Sequence, residues 1–220
     1  MNRRTLPAAA ALVTAAALLL TACGGGDDNK SKKPDKIAGA GEGTSKSASP
    51  SASASAPPSP GRPKIELPAD ISYTFDWQKT GDKNKDAILS DGEQSIKAVD
   101  MAIAKQKPVD PAYVFYYEGE AAAGTEVFIK KYVAHKARTT GHYRFYDDSV
   151  TLNKDGTASF SYCEDQGKAY IKYLKDGRVA KTPVTSKSYV GYNTALRKNG
   201  KGIWVIEKMY SQVGSDKCQP

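Results

Sequence analysis

Several kinds of residue are scarce in this chain, and each scarcity closes off a class of function. There are three cysteines in 220 residues, at positions 23, 163 and 218, and two histidines, His135 and His142. The histidines fall on a predicted helix and a predicted strand, with no cysteine or acidic ligand pattern beside them. A zinc site needs three or four converging ligands, so no metal centre is expected on them. No G-x-S-x-G turn presents a nucleophilic serine, and Gly39-Ala40-Gly41-Glu42-Gly43 has no strand before it or helix after it to make a phosphate loop. No cofactor is called for. The longest apolar run, Ala8 to Leu20 with Thr14 its one polar member, is thirteen residues, short of the roughly 20 that span a bilayer as a helix. A strong excess of one charge is missing too. The formal +8 sits largely in the first third: residues 65–220 carry 23 basic and 20 acidic groups, a balance of only +3. That is too mild to argue for nucleic acid as a partner.

What the first residues do contain is an export signal. Arg3 and Arg4 precede the apolar run, as in a secretory signal peptide. Leu20-Thr21-Ala22-Cys23 follows, then three glycines, and this tetrapeptide resembles the lipobox of bacterial lipoproteins. The resemblance implies cleavage after residue 22, a diacylglyceryl group on the Cys23 sulfur, and attachment to the outer face of the cell membrane. Two acyl chains hold where one is marginal, at about 0.8 kcal/mol per buried CH₂. Cys163 and Cys218 then remain as an even pair in an oxidising compartment, and a disulfide between them is expected. Residues 23–64 form the tether. Within 24–64, Ile37 is the one large apolar side chain, and Ser45 to Pro60 is Ser, Ala and Pro with one lysine. Such a stretch buries too little to offset its ordering entropy, and as a flexible coil it reaches about 35 Å.

Residues 65–220 are one domain's worth of chain. Ile71 to Trp77 reads as an extended lead-in. Ile88, Leu89, Ile96, Val99 and Ile103 recur near a 3.6 period and predict a helix over Asp86 to Gln106. Asp110-Pro111 opens a short aromatic turn of helix to Tyr117. A third helix is expected from Glu120 to Arg138, with Val127, Phe128, Tyr132 and Val133 inward. After Gly141 come β-rich runs: His142–Leu152, Thr157–Cys163, Lys168–Leu174, Ser188–Arg197 and Ile203–Val213, with hairpin turns at Asn153–Gly156 and Asn199–Gly202. Helices first and antiparallel strands after predict an α+β domain, with helices on one face of a curved sheet. The helical first half, the strand GHYRFYDDSV, the strand ending Cys163-Glu164-Asp165 and the closing Gly202-Ile203-Trp204-Val205-Ile206 resemble small Gram-positive lipoproteins. Their domain is cone-shaped and nuclear transport factor two-like, the fold shared by SnoaL-type cyclases and ketosteroid isomerases. The resemblance implies that fold and supplies no catalytic motif.

Candidate chemistry is sparse. Asp82, Asn84, Asp86 and Glu93 occupy positions 1, 3, 5 and 12 of a twelve-residue stretch, as in a calcium loop, but Ala87 stands where the turn wants glycine. The simpler expectation is a polar turn leading into the first helix. Asp100 flanks the apolar face of that helix and is the candidate general base, its pKa raised if it borders a cavity. Twelve of thirteen tyrosines lie between Tyr113 and Tyr210; Tyr116, Tyr143, Tyr146 and Trp204 are the candidate pocket or interface residues. With no reactive constellation in view, the sequence favours a tethered, non-catalytic module binding a protein, an envelope polymer or a small ligand. The alternative is a small isomerase- or cyclase-like enzyme with a general-base carboxylate in an apolar pocket. What separates them is a closed, largely apolar cavity with one desolvated acid; a filled cone would end the enzyme reading.

Overall fold

The computed structural model describes residues 61–220. The expected signal peptide, Cys23 and nearly all of the tether lie outside the described residues. No helix among those described is long and apolar enough to cross a membrane.

The chain enters the domain at Arg62, whose guanidinium pairs with the buried carboxylate of Asp91. Strand β1 (Ile71–Phe75) follows, then α1 (Lys83–Ala104), the single turn α2 (Pro111–Val114) and α3 (Gly119–Ala134). Asp82 caps α1, accepting from the backbone N–H of Asn84 and Lys85. Asp86 in the first turn accepts from Thr80, and Glu93 pairs with Lys97 one turn on. The stretch with calcium-loop spacing is therefore a helix start. Its acids are engaged separately and do not converge, because Ala87 continues the helix instead of turning the loop. Asp110 caps α2 with Pro111 at its first position.

The rest is sheet. Strands β2 (Ala137–Leu152) and β3 (Thr157–Tyr173) form a long hairpin. The two-residue β4 (Val179–Ala180) pairs with the far end of β3, and β5 (Tyr189–Lys198) and β6 (Trp204–Val213) complete a six-stranded sheet of order β1-β2-β3-β5-β6. The pairing is antiparallel except at β1, which runs parallel to β2 with Ile71 beside Gly141. The expected lead-in is thus an edge strand. The β2–β3 register shifts twice, by one extra residue in β3 opposite His142–Arg144 and one extra in β2 between Tyr146 and Ser149, and such bulges bend a strand. The sheet is curved and does not close. Along the β6 edge, Glu118 N–H donates to Ile206 and Ile206 N–H to Tyr116, so part of that edge is covered.

Two expectations about element boundaries change. β2 starts before Gly141, not after it: Gly141 has φ +95°, and a Cβ there would sit 2.2 Å from the Lys168 carbonyl. Glycine lets the strand pass at that point rather than ending an element. Likewise the runs expected as two strands on either side of Gln166-Gly167 are one continuous β3. On α3 the buried residues are Ala121, Thr125 and Ile129, whereas Val127 and Phe128 are exposed. Small side chains on the inner face let this helix lie close to β6 and β2.

The core runs between helices and sheet. Ile88, Met101, Ile103, Ile129, Phe145, Phe160 and Leu196 are almost wholly buried. Trp77 stacks edge-on against Phe160, and Phe75 lies parallel to Phe145 at 4.9 Å, both favourable aromatic geometries. Cys163 at mid-β3 is bridged to Cys218 in a short 3₁₀ turn after β6, Cα to Cα 5.5 Å.

Candidate functional site

The core is not completely filled. Between α1 and α3 on one side and β2, β3, β5 and β6 on the other lies a cavity of about 330 Å³. The helices contribute Ile96, Val99 and Asp100 from α1 and Gly124, Thr125, Phe128 and Tyr132 from α3. The sheet contributes Thr139, Tyr143 and Phe145 from β2, Tyr162, Glu164 and Gln166 from β3, and Tyr192 from β5. Met209 and Ser211 of β6 complete it, with Tyr117. Of the seventeen residues in the wall seven are aromatic and six carry polar side chains, a mix of apolar lining and placed polar groups that suits a ligand site. No lysine, arginine or histidine lines it.

Two carboxylates face this space. Asp100, 9 % exposed, accepts from the Tyr73 hydroxyl at 2.7 Å on Oδ2 and from the Thr139 hydroxyl at 2.8 Å on Oδ1. Burial pushes its carboxyl up to about 6, and the two hydroxyl donors pull partly the other way. Glu164, 6 % exposed, accepts from Tyr192 at 2.8 Å and from Gln166 Nε2 at 2.9 Å. Both of those bonds fall on Oε2, leaving Oε1 with no partner among the described residues. Burial raises Glu164 to about 7; its two donors oppose the shift, and the charges of Asp100 and Asp165 add to it. The phenols respond as expected of buried acids. Burial takes Tyr117 and Tyr132 to about 12 and holds Tyr143, Tyr162 and Tyr192 well above the usual phenol value. They stay neutral donors while the carboxyls titrate near physiological pH.

Of the residues singled out from sequence, the structure brings Asp100 and Tyr143 together in the cavity. Tyr116 and Trp204 are instead core residues: Tyr116 is wholly buried, and Trp204 gives its backbone N–H to Asp91 at 2.9 Å. Tyr146 lies on the other side of the sheet, donating to the Cys218 carbonyl with Arg144 over its ring. It stands three residues after Tyr143, and the plain alternation of a strand points side chains an odd number apart to opposite faces. That far face has a polar depression around Cys163 and Cys218, with Asp147, Asn193 and Lys217 at its margin and no buried carboxylate. His142 bridges Ser72 and Thr74 at 3.0 and 3.2 Å, while His135 ends α3; the two do not converge. Glu164 is the residue that sequence reasoning passed over. Its signal was there: Ala158, Phe160, Tyr162 and Glu164 alternate along β3, which sets an acid on the same face as three buried side chains.

No protein-family model and no curated protein sequence matches this chain. Solved structures do align with it. Aln2 from a Streptomyces species is similar over 57 % of this chain and 90 % of its own, with 12 % identity and a TM-score of 0.41. The ketosteroid isomerase-like protein of Erwinia carotovora atroseptica covers 56 % and 93 %, with 13 % identity and a TM-score of 0.38. The intermembrane-space region of the chloroplast protein ARC6 covers 62 % and 99 %, with 14 % identity and a TM-score of 0.39. Likeness this distant carries no chemistry across, and the site rests on its own residues.

Proposed function

We propose that the domain is a small enzyme that moves a proton on a neutral ring-bearing molecule, with Glu164 as the general base. The observation that carries this reading is the pairing of an open aromatic cavity with two desolvated carboxyls. A base works best when its pKa lies near the working pH, and burial brings Glu164 to about 7. Its free Oε1 takes a proton from a carbon next to a carbonyl. The electron pair moves onto the carbonyl oxygen, and the same carboxyl returns a proton to the same or a conjugated carbon. Asp100, closed by Tyr73 and Thr139, keeps that side of the cavity uncharged below about pH 6. A pure interaction module has no need of such a space; the alternative raised by the sequence fits better.

The setting of this chemistry is proposed with it: a lipid anchor at Cys23 and a Ser/Ala/Pro tether that holds the domain off the outer face of the membrane. Hydrogen exchange tests the enzyme reading. The full chain is incubated with 2-tetralone, an enolisable aromatic ketone, in D₂O at pH 7.5, and loss of the α-proton NMR signal is followed. Exchange well above buffer and abolished by Glu164→Gln supports the reading; equal exchange in wild type and variant overturns it.

A further inference from the structure

The helix side of the cavity holds an unmatched polar group. Thr125, in the middle of α3, is 2 % exposed and lines the cavity. Its Oγ1 is buried with no hydrogen-bond partner among the described residues. A threonine inside a helix can return its hydroxyl to the carbonyl four residues back, here that of Ala121, and this one does not. Buried hydroxyls are rarely left unpaired. One residue earlier, Gly124 also lines the cavity, and a Cβ placed there meets nothing within 4 Å. Glycine in a helix interior is unfavourable relative to alanine, and neither a crowded neighbour nor a positive φ requires it here. Phe128, one turn on, is exposed at the same wall.

We infer that Thr125 is a ligand-binding residue whose hydroxyl bonds a polar atom on the ligand edge facing α3, and that Gly124 leaves the way in beside it. This inference rests on the cavity being a ligand site, and it narrows the ligand class. Glu164 Oε1 meets the ligand's acidic proton from the sheet side and Thr125 bonds an oxygen on the helix side, so the ligand carries a hydroxyl or carbonyl oxygen at the edge facing α3. With two carboxyls and no cationic side chain in the wall, the ligand is not an anion.

The test compares 2,6-dihydroxynaphthalene with naphthalene as probes of the full-length protein, by calorimetric titration of wild type, Thr125→Val, Thr125→Ser and Gly124→Phe. The wild type binds the diol more tightly than the hydrocarbon. Thr125→Val weakens the diol about 3- to 10-fold, the value of one neutral hydrogen bond, and leaves naphthalene unchanged; Thr125→Ser keeps wild-type affinity. Thr125→Val also melts no lower than wild type, since the empty fold loses no bond. Gly124→Phe keeps the fold and loses both probes. Equal diol affinity in wild type and Thr125→Val overturns the inference while the cavity stands as a ligand site. A lower melting point in Thr125→Val overturns it in favour of a structural hydroxyl, and unhindered entry in Gly124→Phe removes the doorway. Failure of the wild type to bind either probe overturns the inference and the ligand-site reading together.

Discussion

Tyr192 on β5 donates its hydroxyl to Oε2 of Glu164 on the neighbouring β3 at 2.8 Å, and the two side chains line one cavity. The tyrosine holds one oxygen of the acid and leaves the other to the open space. Removing its hydroxyl frees the carboxylate to rotate and removes a bond that favours the charged form. Tyr192→Phe is therefore expected to raise the Glu164 pKa above about 7 and to shift the acidic limb of any exchange reaction, the rise in rate as the base ionises, to higher pH. A pH–rate profile of tetralone exchange checks it.

Stability should fall as pH rises through the cavity's range. Asp100 and Glu164 both have folded pKa values above their ordinary ones, to about 6 and about 7. Between about pH 4 and 7 the folded state therefore holds more protons than the unfolded chain, and unfolding free energy declines across that window. The upper limit is on the order of 2 to 3 kcal/mol for each acid at pH 8 relative to pH 4.5. Below pH 4 the sign reverses, because Arg138 and Lys172 hold the Asp70 carboxyl well below its usual range and its protonation costs stability. Urea titrations at several pH values should show the decline, reduced by about half in Glu164→Gln.

The Arg62–Asp91 pair fixes the point where tether meets domain. Asp91's side chain is fully buried and also accepts the Trp204 N–H at 2.9 Å, while Arg62's remains slightly exposed. Breaking one side of a buried pair strands a charge, at about 3 to 5 kcal/mol. Arg62→Met should destabilise the domain by roughly that amount, and Arg62→Met with Asp91→Asn should recover part of it. A double-mutant cycle by urea unfolding measures both.

Cys163 and Cys218 are 55 residues apart, and closing a loop of that length is worth about 4 kcal/mol in the chain-entropy model. Cys163→Ala with Cys218→Ala should lower the unfolding free energy by up to about that amount, read from urea unfolding of the double variant beside wild type.

Cys23→Ala should leave the domain intact and move the protein from the membrane fraction to the medium. Retention of the variant on the membrane would falsify the proposed anchor.

How legible all this was from sequence depended on the kind of signal. α1 was readable because Ile88, Leu89, Ile96 and Ile103 repeat at helical spacing, and Asp100 with it. α3 was misjudged because Ala121, Thr125 and Ile129 form a face of mostly small or polar side chains, while the larger Val127 and Phe128 drew the expectation outward. Tyr143 and Tyr146 are three apart on β2, so period-two alternation already sets them on opposite faces, whereas which of those faces lines a cavity follows only from the packing of the helices. Arg62 meeting Asp91 and β1 pairing parallel to β2 are long-range events. They follow from packing the whole chain, and no local pattern announces them.

The most direct measurement is a ¹³C NMR titration of the carboxyl carbons of Glu164 and Asp100 in the full chain. Midpoints near 7 and 6 are predicted, with Glu164 moving when 2,6-dihydroxynaphthalene is added. Both acids titrating near 4, as solvated carboxyls do, with no response to the diol, would contradict a desolvated catalytic cavity.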